Sequence, residues 1–191
     1  MEMLARRMLI GALMSALVVT GCRRAEPEEP TPVQQTDDEA ARRQAEEAAR
    51  LAAEEAARRE AEADEARLAA ERERAVAVLT ERIHFAYDES AITPDSRDVL
   101  LQKVEVLRQN GDVRLRIIGH ADERGSIEYN LALGMRRANA ARDFLTNYGL
   151  EVGRFETASM GEEEPLVNQA TESAYAQNRR AEFQIAAGTV R

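Results

Sequence analysis

The order of apolar and polar positions divides the chain into zones of different character. Residues 8–20 (MLIGALMSALVVT) are apolar and uncharged. Residues 23–35 (RRAEPEEPTPVQQ) show no period. Residues 37–74 are almost entirely Ala, Glu, Arg, Asp and Gln, with Leu51 and Leu68 as the large apolar side chains. A helix there has no face that seeks a core. From residue 82 onward both the helical and the strand period appear.

In that last zone the segment 82–87 (RIHFAY) alternates Ile83, Phe85 and Tyr87 with Arg82, His84 and Ala86, which predicts a strand. Thr93-Pro94-Asp95 suits a helix start, with Thr93 as cap and Pro94 in the first turn. Val99, Leu100, Val104 and Leu107 then share one face, and Asn110-Gly111 ends the helix. Residues 113–118 (VRLRII) predict a second strand with one better-buried face. A second helix runs from Ser126 to Gly149, with Ser126 or Gly125 as N-cap and an apolar stripe of Ile127, Leu131, Met135, Ala138, Ala141 and Leu145. Residues 155–160 and 180–185 read as further strands. The polar stretch 161–178 between them has room for a helical turn near Glu172–Gln177. The expected fold is α+β, β-α-β-α-β-β, two layers with both helices on one face of a small mixed sheet, occupying residues 81–191.

A chain of 191 residues has room for one ordinary domain plus extensions. Net charge −9 weighs against a nucleic-acid partner, since phosphate affinity comes from arranged Lys and Arg. It leaves open a small charged ligand, which needs only two or three groups. His84, His120 and the single cysteine, Cys22, cannot make a Cys/His zinc site, and no nucleophile motif such as G-x-S-x-G is present. No metal, cofactor or catalytic residue is expected, and the chain reads as a non-enzyme.

Arg6 and Arg7 precede the apolar run, which is shorter than the about 20 residues needed to cross a bilayer. The run ends in Val19-Thr20-Gly21-Cys22, which resembles the lipobox of bacterial lipoproteins. The resemblance implies a signal peptide over 1–21, cleavage before Cys22, and lipid on its thiol and new amine. Two or three acyl chains hold firmly where one holds only marginally. Arg23, in place of Asp, implies the outer membrane, with the chain facing the periplasm. Residues 22–36, with Pro27, Pro30 and Pro32, form an extended tether. Residues 37–80 form a helical spacer, supported by Glu46–Arg50, Glu54–Arg58 and Glu55–Arg59 at i, i+4 with the acid first. Its most regular 38 residues would reach roughly 57 Å. Two leucines 17 residues apart make a poor coiled-coil seam. That favours a solvated single helix, while an oligomeric coil stays open.

Residues 119–145 (GHADERGSIEYNLALGMRRANAARDFL) concentrate the chemistry. The chain leaves a strand at Gly119, passes Asp122, turns at Gly125 and enters a helix near Ser126. Backbone amides at a helix N-terminus thus lie beside a carboxylate. Arg137 follows 15 residues after Asp122. Brought together, these groups suit a zwitterion, with its ammonium on Asp122 and its carboxylate on Arg137 or the amides. Charge spacing alone allows an ordinary salt bridge equally well.

Four segments, FAYD (85–88), GHADERGSIEYN (119–130), LGMRRA (133–138) and NRRAEF (178–183), occur in order across residues 83–185. Together they resemble the OmpA-like peptidoglycan-binding domain family. That resemblance implies an OmpA-C-like fold and a ligand, the meso-diaminopimelate side chain of peptidoglycan, whose free D-centre is a zwitterion. It puts the ligand-binding pair on Asp122 and Arg137. Phe85, Tyr87 and Asp88 would border the pocket, with Ala121, Glu123 and Gly125 in the motif around it. Asn130 and Arg136 would support it, and Asn178 and Arg179 would serve structure and border. The family commonly has Thr where Ala121 stands and often Asp where Ala86 stands. A lost hydroxyl contact at Ala121 would weaken binding by about 1 kcal/mol. Together with the lipobox, the resemblance implies a lipid-anchored tether between outer membrane and cell wall. It further implies partnership with the Tol system, TolB included, and a role in division. The rival reading is an envelope lipoprotein whose charged helix docks or oligomerises, with weak or no wall binding.

Overall fold

The computed structural model describes residues 32–190. The expected signal peptide, Cys22 and the first part of the expected tether lie outside the described residues. Contacts divide the chain after Ala53. The first helix, α1, covers Pro32–Thr80. It begins inside the stretch expected to be an extended tether. Once the Ala/Glu/Arg tract has nucleated, each added residue gains one hydrogen bond, and a proline is tolerated in the first turn. Of the expected ion pairs, Arg59 bonds Glu55 at 2.6 Å, whereas Arg58 turns forward to Glu62 at 3.3 Å. Leu51 and Leu68 are both more than half exposed.

Beyond the helix come β1 (Ile83–His84), α2 (Pro94–Gln109), β2 (Arg114–His120), α3 (Ile127–Asn147), a 3-10 turn (Val152–Arg154), β3 (Phe155–Gly161), α4 (Glu172–Asn178) and β4 (Arg180–Ala187). The sheet order is β1-β4-β2-β3. β2 and β3 are parallel, joined by α3, and β4 runs antiparallel to both β1 and β2. This is the expected α+β order, with α4 at the expected helical turn. Thr93 and Ser126 cap α2 and α3, accepting from the amides of Ser96 and Tyr129.

Three expectations need correction. The first strand is two residues long rather than six. Phe85 N still bonds Arg179 O at 3.0 Å, but the chain then turns, and Asp88 takes a positive φ of 56°. Tyr87 is consequently exposed. The apolar stripe of α3 is buried only in its second half, at Ala138, Ala141 and Leu145. Ile127, Leu131 and Met135 are 52%, 37% and 37% exposed. In the first half of the helix the buried positions are Asn130, Leu133, Gly134 and Arg137, three of which face the site described below. Finally, the core begins before residue 81. Leu79 is fully buried among Ile83, Leu100, Val104, Leu107, Leu115, Ile117 and Phe183.

Lys103 fixes that junction. It is fully buried on α2, and its Nζ donates to the carbonyls of Val78 (2.6 Å), Leu79 (3.0 Å) and Glu81 (2.7 Å). The last carbonyls of a helix have no partner within it, and an ammonium carries three donors. The ammonium also stands 4.2 Å from the centre of the Phe183 ring. Burial pushes its pKa down to about 7.

Two glycines set the distance between α3 and the sheet. A Cβ on Gly119 of β2 would lie 1.8 Å from the carbonyl oxygen of Gly134, and one on Gly134 would lie 2.3 Å from Ser159 Oγ. Helix and strand therefore meet backbone to backbone. Arg137, one turn further along α3, is lowered onto the end of β2.

Candidate functional site

The site lies where β2 ends. Ala121 N donates to Gly161 O at 2.8 Å, which prolongs the β2–β3 ladder by one residue and leaves Ala121 buried. Asp122 follows, 4% exposed. Its Oδ1 accepts from the Arg124 amide at 3.2 Å and Arg124 Nε at 3.0 Å. Its Oδ2 accepts from Arg124 Nη2 at 2.7 Å and Arg179 Nη1 at 3.3 Å. Burial alone would raise the Asp122 pKa. The hydrogen bonds from Arg124 and Arg179 outweigh it and hold the carboxyl below its usual range.

Arg124 is held from several sides. Its guanidinium stands 4.0 Å from the Tyr87 ring centre and 4.5 Å from that of Tyr175, and its Nη1 reaches Glu172 at 3.1 Å. The bond to Asp122 raises its pKa. Arg179 joins the same acids, with Nη1 to Glu172 at 2.9 Å, while its Nε donates to Phe85 O at 3.1 Å.

Arg137 is fully buried on α3. Its Nη1 donates to His120 O at 2.7 Å, Nε to Glu89 O at 2.8 Å and Nη2 to Ala86 O at 3.1 Å. The guanidinium carbon is 5.2 Å from the Phe85 ring centre. Burial pushes its pKa down to about 10, opposed by the charge of Asp122. It still carries a proton at neutral pH. These bonds also explain the short β1, because the carbonyls of Ala86 and Glu89 turn toward Arg137 instead of a neighbouring strand.

Asp122 and Arg137 line one cleft of about 160 Å³, with Tyr87, Asp88, Arg124, Gly125, Tyr129, Asn130 and Leu133. They do not form the direct salt bridge that spacing allowed. The partners of Asp122 are Arg124 and Arg179. Gly125 has φ 123°, a conformation that disfavours any side chain. Asn130 is buried and donates to the Glu162 carboxylate and to Arg124 O, fixing the loop to α3. The Tyr129 hydroxyl donates to the Asp88 carboxylate, joining α3 to the turn after β1.

The remaining expected residues stand further back. Glu123 accepts from the Tyr175 hydroxyl at 2.8 Å. Arg136 lies outside the cleft, its guanidinium 5.5 Å from the Tyr129 ring. Asn178 bonds the backbone of Leu166 and Val167 and thereby shapes the polar loop before α4. Sequence reasoning missed Arg124, Tyr129, Leu133, Glu172 and Tyr175. Arg124 carried a signal, a base two residues after the chosen acid. α4 carried none beyond a helical turn.

A larger groove of about 450 Å³ lies beside β1, lined by Ile83, His84, Phe85, Ser96 and Val99 among others. It lacks a buried acid and base facing one another. Among the described residues no three His, Cys, Asp or Glu side chains converge as metal ligands, and no helix is long and apolar enough to cross a membrane.

The model of the OmpA family matches residues 84–179, half of the chain. The chain belongs to the OmpA family. All the motif segments fall inside that OmpA match except the last four residues of NRRAEF. A curated relative from Mesorhizobium japonicum, named Peptidoglycan-associated lipoprotein, is 46% identical over 101 residues, covering 53% of this chain and 60% of that protein. The chain thus spans about 60% of the length of the first curated relatives. A relative of the same name from Haemophilus influenzae is 38% identical over 110 residues, 56% of this chain and 72% of that one. The crystal structure of the peptidoglycan-associated lipoprotein from Burkholderia pseudomallei superposes with a TM-score of 0.52 at 35% identity, covering 54% of this chain and 89% of that chain.

Proposed function

We propose that the chain is a non-enzymatic lipoprotein of the bacterial envelope that grips peptidoglycan without a covalent bond. The grip is on the diaminopimelate side chain. A lipid on Cys22 fastens the other end to the periplasmic face of the outer membrane, and residues 37–80 supply distance between the two. The observation that carries this reading is a buried carboxylate and a buried guanidinium, Asp122 and Arg137, lining one small cleft. A guanidinium has five N–H donors, and Arg137 gives three to backbone carbonyls. The remaining donors suit the carboxylate of the ligand, and Asp122 suits its ammonium. The name of the relatives agrees. By resemblance the same reading extends to the Tol system, with TolB as a partner, and to envelope constriction at division.

Co-sedimentation of the detergent-purified full chain with purified sacculi tests the reading. Wild type should pellet, and free meso-diaminopimelate should release it. Asp122→Asn and Arg137→Lys, checked for folding, should bind at least about ten-fold more weakly, the equivalent of one lost charged hydrogen bond. Folded wild type that stays in the supernatant would refute the proposal.

A further inference from the structure

Asp122 has no vacancy. A carboxylate offers about four lone-pair positions on its two oxygens. All four are taken, by the amide, Nε and Nη2 of Arg124 and by Nη1 of Arg179. An ammonium arriving at Asp122 therefore finds no acceptor position there until one donor leaves. The amide of Arg124 is part of the backbone turn and cannot leave without unmaking it. Arg179 is buried and pinned at its other end by Phe85 O. The Arg124 side chain is the exception. It is one-third exposed, it lines the cleft, and it is held by neighbours that do not depend on Asp122. Its Nη1 already rests on the largely exposed Glu172, and the rings of Tyr87 and Tyr175 flank its guanidinium. A short swing keeps those contacts and frees one position on each oxygen of Asp122.

We infer that Arg124 is an internal ligand of the site, a guanidinium that occupies Asp122 in the empty protein and is displaced by the ammonium of the bound molecule. This rests on the reading of Asp122 as the ammonium acceptor. The charges balance across the exchange. Asp122 and Glu172 face Arg124 and Arg179 in the empty site, and an incoming ammonium replaces the charge that Arg124 withdraws. Affinity is then lowered by the fraction of time Arg124 spends on Asp122, as for any protein whose binding-competent form is a minority. Molecules that present a carboxylate without an ammonium bring Asp122 no donor in place of Arg124, so the contact also selects for a zwitterion.

The test is calorimetric titration of the detergent-purified full chain with meso-diaminopimelate, in wild type, Arg124→Met, Asp122→Asn and the double variant, each checked for a cooperative thermal transition above the titration temperature. Methionine keeps an unbranched apolar stem and removes every side-chain donor. Arg124→Met should bind about ten-fold more tightly than wild type, for a competent fraction near one-tenth. Asp122→Asn should lose binding in both backgrounds. If wild type binds and Arg124→Met binds equally or more weakly, the internal-ligand inference is overturned while the proposed function stands. If neither folded protein binds diaminopimelate or sacculi, the proposed function itself fails, and this inference with it.

Discussion

Replacing Arg137 by methionine separates what the guanidinium does for the fold from what it does for a ligand. The side chain ties Ala86 and Glu89, in the turn after β1, to His120 at the end of β2. Methionine fills similar space and donates nothing. The carbonyl of His120 is then buried without a partner, while those of Ala86 and Glu89 are partly reachable by water. An unsatisfied buried group costs about 1–3 kcal/mol, and the part-buried ones lie at the low end of that range. Relief from burying a charge offsets some of the loss, so the net cost should be about 3 kcal/mol. Against a total of about 5–15 kcal/mol for a typical domain, the variant stays folded but visibly weakened. Far-UV circular dichroism is a poor readout, because much of α1 is solvated helix that contributes signal without reporting on the core. Near-UV dichroism in urea is better, since the chain has four tyrosines, at 87, 129, 148 and 175, all within the domain. Arg137→Lys keeps the charge but not the fork and should lose about half as much. If Arg137→Met loses less than about 1 kcal/mol, the three bonds do not hold the turn and the structural half of this reasoning is wrong.

Gly134→Ala would ordinarily help a helix by about 1 kcal/mol, yet here the new Cβ meets Ser159 Oγ at 2.3 Å and Gly119 O at 2.7 Å. The melting temperature should fall and sacculus binding should weaken together, as α3 lifts Arg137 off β2; a raised melting temperature would show that the helix shifts freely. For Lys103, the unfolded chain keeps its proton up to about 10.5 while the folded chain releases it near 7, so the unfolding free energy should climb with pH through that window. Lys103→Met should abolish the climb, and a flat wild-type profile would mean that the three carbonyls hold the ammonium charged throughout.

The order of strands and helices was legible because each apolar run has a clean period and a turn or cap at its ends, as at Thr93 and Ser126. The family was legible because its motifs are short and fall in sequence. What could not be read was how charges partition once packed. Asp122 and Arg137 reach the same cleft, but beyond the closeness of Arg124 in the chain nothing in the spacing told that Arg124 and Arg179 would take the acid and three carbonyls the base. The stripe Ile127–Leu131–Met135 has a helical period without being core, since near the site α3 turns a polar face inward, with Asn130 and Arg137 on it. Leu79 lies next to a tract that looks wholly solvated, and it is buried in a cluster with Leu100, Val104 and Leu107 of a different helix.

The junction at Lys103 has a mechanical consequence. The final turn of α1 is not a swivel, because its side chain Leu79 sits in the core and its end carbonyls are held by the neighbouring helix. A pull arriving through that turn has no slack linker to straighten. It loads the buried ammonium directly, passes into α2, and spreads through Val104 and Leu107 into the sheet that carries the cleft at the end of β2. The last turn of α1 is thus fastened to the domain without a hinge between them, and the strength of that fastening can be altered at one residue, away from the cleft.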